Sequence, residues 1–418
     1  MIHSRVDATT LATEADRVAS NAALAAGRPT AQLLDLFDAF AQRLATPAFA
    51  DVEGIAFLAT WLRKKSLSAM LDASLGGRAG ALDGFVADGA RKLRAAPRGI
   101  VAQWIAGNIP TLAIFSFVLS ALAKNVNLVR VPKESHAVVE RMLAVLAETK
   151  VDGLTGAELL AGAAFFYFPG DDRALHAALS LRADARVVWG GQATLATVLA
   201  LPRHEHVEDI VFGPKFSLGF VDAAARERVA GGDEVARSIV RDILFVEQSA
   251  CSSPHILYVE GDLDDARRFG GAIAKELAKQ TARAPKRGIA EGTAAAILRL
   301  RSDYALSENK DVLASRNVDW TVLVDADGAV LSEGVQSRTI FVRALGRDVV
   351  AGASAVVNPQ VQTVGLLVDD AARAAALADL CATRGVSRLV RFGLMNVYDQ
   401  PWDGLFACDR FVRWVSWT

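Results

Sequence analysis

A cysteine becomes a useful nucleophile when its surroundings stabilise the thiolate and leave room for a substrate. Cys251 lies in Ser249-Ala250-Cys251-Ser252-Ser253-Pro254, with no bulky side chain before His255. Such neighbours let backbone N–H groups and a substrate carbonyl approach closely, the requirement for capturing an acyl group. The same sequence also suits an inert, packed thiol, since buried cysteine is common. A second candidate is Asn108 in Gly107-Asn108-Ile109-Pro110. Its carboxamide can donate a hydrogen bond to a developing oxyanion, a contact whose loss costs about 3 kcal/mol in a hydrolase. It can equally close a turn or cap the helix that follows.

The elements that must position these residues follow from periodicity. Leu33, Phe37, Phe40 and Leu44 recur at helical spacing behind Pro29-Thr30. Phe57, Leu58, Trp61 and Leu62 define a second helix, with Arg63, Lys64 and Lys65 beyond it as a solvated end. From about Arg98, short β-branched or aromatic runs alternate with helical ones: GIVAQWI, TLAIFSFVLSALAK, NLVRV, SHAVVERMLAVLAET, AAFFYFPG, RALHAALSL and RVVWGG. That alternation predicts a parallel sheet with crossover helices, and its apolar strands imply cover on both faces. A helix over roughly 233–246, with Val235, Ile239 and Leu244 on its apolar side, leads into the cysteine segment. HILYV, a long helix through Ala274 and Leu277, DWTVLVDAD, RTIFV, ASAVV and QTVGLLV then read as a second α/β unit, with KQTARAPKRGIAEGTA as its loop or hinge. Asn108 thus follows the carboxyl end of a strand, where parallel sheets bind ligands.

Composition narrows the function classes. The 418 residues, 52% hydrophobic and 22% charged, are enough for more than one core, and two domains are expected. A net charge of −1 without basic blocks leaves no electrostatic footprint for nucleic acid or an anionic membrane, so the expected partner is a small molecule. Three cysteines without metal-ligand spacing fit neither a disulfide framework nor a zinc site, and no metal is expected. The polar N-terminus lacks a signal-peptide core, and a cytoplasmic location is expected. Residues 100–123 are apolar enough to raise a membrane span, but Asn108 and Pro110 interrupt them, and a strand, turn and helix account for them better.

In their order and separation, Asn108-Ile109-Pro110 and Cys251 resemble the aldehyde dehydrogenase superfamily. Closer still is the resemblance to the LuxC-type acyl-CoA reductases, carried across most of the chain by AGNIP, KNVNLVRV, VVWGG, FGPKFS, QSACSSP, VNPQVQTVG and WDG. The resemblance implies an aldehyde-dehydrogenase-like α/β fold with two doubly wound domains. The expected division is an N-terminal helical segment over 1–85, a nicotinamide domain over 86–245, a catalytic cysteine domain over 246–385 and a C-terminal return or oligomerisation segment over 386–418.

It also implies a chemistry: reduction of an acyl thioester to an aldehyde through an S-acyl intermediate on Cys251, with Asn108 at the oxyanion. Coenzyme A would be the leaving group. Arg130 and Lys133 fall where the family places a basic residue near the adenosine ribose, and a guanidinium there can pair with a 2′-phosphate, favouring NADPH over NADH. Trp189, Gly190 and Gly191 fall at the later cofactor-contacting turn. Gln362 and Thr363 match the family's QTVG run and are assigned to the acyl or nicotinamide side of the cleft. Hydrolytic members carry a Glu before Leu-Gly-Gly-Lys; here the run is Val211-Phe212-Gly213-Pro214-Lys215, so the water-activating base is missing. That favours transfer and reduction over hydrolysis. An acyl-carrier or acylated protein is an alternative donor, NAD-dependent aldehyde oxidation an alternative reaction, and an inactive scaffold an alternative role.

Other residues carry less. His204-Glu205-His206 lacks a third ligand and reads as a polar loop. His255 can assist Cys251 or simply be packed. Trp402, Trp414 and Trp417 point to docking on the protein body or on a second subunit, and a homo-oligomer is expected.

Overall fold

A computed structural model of the chain describes residues 2–230, 234–286, 288–326 and 334–418. Two compact units emerge: the residues up to Pro214 together with Tyr398–Thr418, and Lys215–Val397. These divisions depart from the expected boundaries at 245/246 and 385/386. The reason is pairing: Phe216–Val221 is hydrogen-bonded between Pro254–Val259 and Val361–Leu367, so everything from Lys215 onward folds with the cysteine segment.

The first unit is built on six parallel strands, in the spatial order Ile2–His3, Ala163–Phe166, Val126–Arg130, Ile100–Trp104, Ala185–Trp189, Glu208–Phe212. Successive side chains feed two cores, with Val101 and Val129 on one face and Ala102 and Leu128 on the other. The apolar helix Leu112–Leu122 is buried at every residue. Burial therefore explains its composition, and no helix among the described residues is long and apolar enough to cross a membrane. The strand order reverses between Ile100–Trp104 and Ala185–Trp189, which opens a crevice beyond their carboxyl ends.

Helix Thr30–Leu44 forms as its spacing predicts, burying Leu33, Phe37, Phe40 and Leu44. The basic run behind Trp61 is exposed, as expected, and it also opens a further helix: Arg63 is the N-cap of Lys64–Ser74 and pairs with Asp38 at 2.6 Å. At the C-terminus Val412–Trp417 adds antiparallel to Arg91–Pro97, which pairs with Val86–Asp88. Trp402 is buried, Trp414 half-buried and Trp417 57% exposed, so the three tryptophans do not share one role.

The second unit holds seven strands in the order Asp311–Ala314, Thr321–Asp325, Thr339–Ala344, Pro254–Val259, Phe216–Val221, Val361–Leu367, Arg388–Arg391, with only the first pair antiparallel. The helix before the cysteine runs Glu234–Leu244 and buries Ala236, Ile239, Val240 and Ile243; Val235 and Leu244 are only half-buried. The expected loop over 279–294 is shorter in the structure: its two ends belong to helices Leu263–Arg283 and Glu291–Ala305, and the break between them is 284–290, where Arg287 lies outside the described residues. ASAVV lies not in a strand but largely in helix Val349–Val356, whose start Asp348 caps by accepting from the N–H groups of Val350 and Ala351. Its β-branched residues face the core, and burial outweighs their strand preference.

Candidate functional site

In the first unit, the sequence candidates gather at the carboxyl ends of the strands. Asn108 is exposed in the bend between Ile100–Trp104 and helix Leu112–Leu122. The helix N-cap is Thr111, so Asn108 does not occupy the capping position. The bend runs close to its neighbour: a Cβ on Gly107 would lie 3.1 Å from Glu134 Oε2 and 3.5 Å from Pro132. Lys133 is exposed at the start of the turn Lys133–Ser135.

Arg130 ends its strand half-buried, with Nη2 donating to the Phe168 carbonyl at 3.1 Å and its guanidinium 5.9 Å from the Phe168 ring centroid. Burial lowers its pKa, and its buried Nε finds no acceptor among the described residues. A buried donor without an acceptor is costly and suits a site that receives an anion.

Trp189, expected as a cofactor contact, has its ring packed within the unit. Its ring is buried, stacked on Phe212 at 3.7 Å, and its Nε1 donates to Ser116 Oγ at 2.9 Å. What the turn presents is Gly190 and Gly191, the latter exposed at the N-cap of helix Gln192–Leu199. A Cβ on Gly190 would meet Thr194 at 2.9 Å, so only glycine lets the strand turn into the helix there. Below the turn runs a buried polar chain that periodicity did not reveal. Ser116 Oγ donates to Gln103 Oε1 at 2.6 Å and Gln103 Nε2 to Asn127 Oδ1 at 2.8 Å. It ties three strands to the helix behind Asn108. Its signal was present as a Ser and a Gln inside otherwise apolar elements.

In the second unit the cysteine segment sits at the opposite end of its sheet. Cys251 precedes Pro254–Val259 and therefore lies at the amino end of that strand. It is half-buried, whereas Cys381 and Cys408 are fully buried. Burial pushes those two thiols up to about 11 and about 12, so they stay protonated at neutral pH. Cys251 alone among the three is accessible to a substrate.

Its approach is an unusual backbone. Val246, Glu247 and Gln248 have φ of 46°, 48° and 66°, and Gln336, Ser337 and Arg338 have φ of 62°, 57° and 60°. Left-handed conformations cost non-glycine residues roughly 1–2 kcal/mol each, so surrounding bonds must hold them. They do so by joining the two runs. Arg338 Nε donates to Glu247 Oε2 at 2.6 Å, and Ser337 N–H to the Glu247 carbonyl at 2.9 Å. Gln248, fully buried, donates through Nε2 to the carbonyls of Pro254 at 2.8 Å and Thr339 at 3.0 Å, and accepts from Thr339 N–H at 2.9 Å. Beside this clasp, Lys286 Nζ donates to the Val318 carbonyl and to both oxygens of Ser337, and burial brings its pKa down to about 8.

Cys251 itself is fixed through its carbonyl, which accepts from Ser217 Oγ at 2.7 Å, while Ser217 Oγ accepts from Thr363 N–H at 3.1 Å. Ser217 sits where the sheet register shifts, between Ser217 and Leu218. Gln362 and Thr363 are buried at 1% and 0% exposure, so Thr363 supports the cysteine turn through its backbone. Asn396 accepts from both Ser252 and Ser253. Ser217 closes the run FGPKFS but nothing there linked it to Cys251, and Asn396 carried no signal, because the chain separates them from Cys251 by 34 and 145 positions.

His255 is 4% exposed, its Nδ1 has no partner among the described residues, and burial brings its pKa down to about 4. It is a packed, neutral imidazole. In the first unit, His206 Nε2 lies 3.3 Å from Asp184 Oδ1, and no described group of three or more His, Cys, Asp or Glu side chains is arranged to hold a metal.

This architecture is that of the aldehyde dehydrogenases. The chain is similar to the NAD-bound Δ-pyrroline-5-carboxylate dehydrogenase of Mycobacterium tuberculosis, with TM-score 0.69 and 13% identity over 98% of this chain and 82% of that one. It is likewise similar to the NADP-complexed glyceraldehyde-3-phosphate dehydrogenase of Methanocaldococcus jannaschii, with TM-score 0.67 and 9% identity over 98% and 94%. Within that fold the family is specific: residues 28–414 match the acyl-CoA reductase (LuxC) family, and the chain belongs to it. Among its relatives is the long-chain acyl-protein thioester reductase of Vibrio harveyi, 24% identical over 364 residues, 84% of this chain and 71% of that protein.

Proposed function

We propose that the protein reduces an acyl thioester, with a fatty acyl group, to the aldehyde through an S-acyl intermediate on Cys251. The observation that carries this is the contrast among the three thiols: Cys251 is half-buried in a turn held from several sides, and the others are sealed and protonated. Cys251 sulfur attacks the thioester carbonyl, the C–S bond to the donor breaks, and the donor leaves as a free thiol. Asn108 donates to the oxyanion; this role rests on the sequence resemblance and on its exposure after a strand end. A bound nicotinamide cofactor supplies the hydride that brings the acyl group to the aldehyde level. Release of the aldehyde returns the thiol of Cys251.

The chain's own groups fit such a cofactor. Arg130, with its unpartnered buried Nε, and exposed Lys133 would hold an adenosine 2′-phosphate, favouring NADPH over NADH. Arg130→Ala is expected to narrow the NADPH-over-NADH ratio of kcat/KM about tenfold; an unchanged ratio removes Arg130 from this role. Val211, half-buried on its strand, supplies no base where hydrolytic enzymes carry Glu, so water is not activated from that position.

Acyl-CoA is the expected donor, with coenzyme A as the leaving thiol, and a cytoplasmic enzyme with a homo-oligomeric assembly completes the reading. A second donor, an acylated protein, is favoured by the similarity to the Vibrio harveyi acyl-protein thioester reductase. The test is incubation of the protein with a panel of acyl-CoAs and an acylated carrier protein, without cofactor, and location of the acyl group by mass spectrometry. An adduct on Cys251 is expected; an adduct elsewhere, or none from any donor, refutes the proposal.

A further inference from the structure

The two residues after Cys251 direct their hydroxyls at one oxygen. Ser252 Oγ donates to Asn396 Oδ1 at 2.7 Å, and Ser253 Oγ to the same atom at 3.2 Å. Asn396 is 8% exposed, and its Nδ2 donates to the Asp242 carbonyl at 2.9 Å. The two ends of the carboxamide face an acceptor and two donors respectively, so its orientation is determined by its partners.

The loop that carries Asn396 is itself tied down at several points. Arg388, at the start of the strand Arg388–Arg391, donates through Nη1 to the Met395 carbonyl at 2.6 Å. Its Nη2 donates to the carbonyls of Leu394 at 2.9 Å and Val397 at 2.6 Å. Gly393 N–H donates to the buried carboxyl of Asp242. An arginine, an aspartate and an asparagine thus converge on one short loop whose contact with the cysteine turn is Asn396. Leu394 and Val397 are 48% and 49% exposed, while Met395 beside Asn396 is buried in the core, so the loop is held by that anchor together with these bonds.

We infer that Asn396 is a positioning residue for the nucleophile: it clamps Ser252 and Ser253 so that the Cys251 turn keeps one conformation. The inference rests on the reading of Cys251 as the nucleophile. On the other side of the turn, Ser217 holds the Cys251 carbonyl and the Gln248 side chain holds the incoming chain. Both serine hydroxyls donate to Asn396, so their protons are not directed at the sulfur. Loosening the clamp lets the turn sample other conformations and moves the thiol towards an unstructured cysteine.

Alkylation by iodoacetamide tests this without any acyl donor. The pH midpoint of Cys251 modification, located by mass spectrometry, is measured on the full chain, on Asn396→Ala and on the Ser252→Ala/Ser253→Ala pair. The wild-type midpoint is expected below the ordinary thiol value of about 8.5. Each variant should raise it by about half a unit or more, roughly a threefold loss of thiolate at fixed lower pH. Combining all three changes should raise it no further than either variant does alone, since they remove the same bonds. The serine pair decides the matter should Asn396→Ala fail to fold. A purely structural Asn396 would lower the melting temperature and leave the midpoint in place, and that outcome, like additive shifts, overturns the clamp. Failure of every donor, acyl-CoA and acylated carrier protein alike, to label Cys251 would instead overturn the thioester reading and leave the clamp on the turn standing.

Discussion

The two parallel sheets carry their accessible chemistry at opposite ends of their strands. In the first unit, the carboxyl ends are left open: exposed Asn108, Lys133 and Gly191 follow them, and the strand order reverses between the two central ones. In the second unit, three strands end in buried carboxylates whose bonds close off those ends. Glu260, 3% exposed, accepts from Ala223 N–H at 2.8 Å and Val349 N–H at 3.1 Å and pairs with Arg373. Asp222 accepts from Ala225 N–H and Asp369 N–H, both at 2.8 Å, and Asp325 pairs with Arg343 at 3.1 Å. Cys251 sits at the other end, before its strand begins. Parallel sheets bind ligands beyond their carboxyl ends where those ends stay open. Where buried ion pairs and helix caps seal them, the reactive group needs the amino-end loops instead, held by bonds such as those of Ser217 and Asn396.

The sharpest way to break this contrast is at the sulfur. Cys251→Ala is expected to lower kcat/KM for thioester reduction by about a thousandfold or more, as loss of a nucleophile does. Cys381→Ala and Cys408→Ala should retain near-wild-type rate constants per folded molecule, read by steady-state kinetics on each variant. Comparable losses at all three would erase the distinction.

The closed end should respond in stability rather than in chemistry. Glu260→Ala strands the buried Val349 N–H, the half-buried Ala223 N–H and Arg373, and should cost about 3 kcal/mol of unfolding free energy in urea titrations. The alkylation rate of Cys251 should stay unchanged; a large drop would show that the two ends of the sheet are functionally coupled. At the open end, Asn108→Ala should lower kcat about a hundredfold with little change in KM, the pattern of a contact made in the transition state. A change confined to KM would make Asn108 a binding contact only.

His255 gives the most graded effect, small at any one step of pH. Its folded pKa, about 4, lies below the ordinary 6.5 because burial disfavours the imidazolium. Its contribution is therefore fully present above pH 6.5, and stability falls as pH drops towards 4 because the unfolded chain takes up the proton first. The slope is about 1.4 kcal/mol per pH unit within that window. In His255→Leu this part of the slope should disappear from unfolding free energies measured at successive pH values; an unaltered slope would assign the acid sensitivity to other groups.

Much of the first unit was legible in the sequence because its strands are continuous apolar runs and its turn residues are local. Asn108, Gly190 and Gly191 each follow a strand whose periodicity marks its end. The function of Trp189 was less legible: a tryptophan beside two glycines reads as part of a turn, and only packing shows it stacked on Phe212. The second unit was harder. Cys251 could be picked out by its small neighbours, but what holds it is distant in sequence, as with Ser217, Arg338 and Asn396. Nothing in the types of Val246, Glu247 and Gln248 signals left-handed backbone, since none is glycine and none has a short turn-forming side chain. The boundary at Pro214 was hidden for a similar reason: strand pairing, not composition, assigns Phe216–Val221 to the cysteine sheet.

The most direct test of the account is a single turnover. Protein acylated on Cys251 and freed of donor is mixed with NADPH, and the acyl product is identified. The account predicts one aldehyde released per S-acyl group, with matching oxidation of NADPH and an acyl-enzyme that persists in water until the cofactor is added. Release of the free carboxylic acid, or an acyl-cysteine indifferent to NADPH, would contradict it.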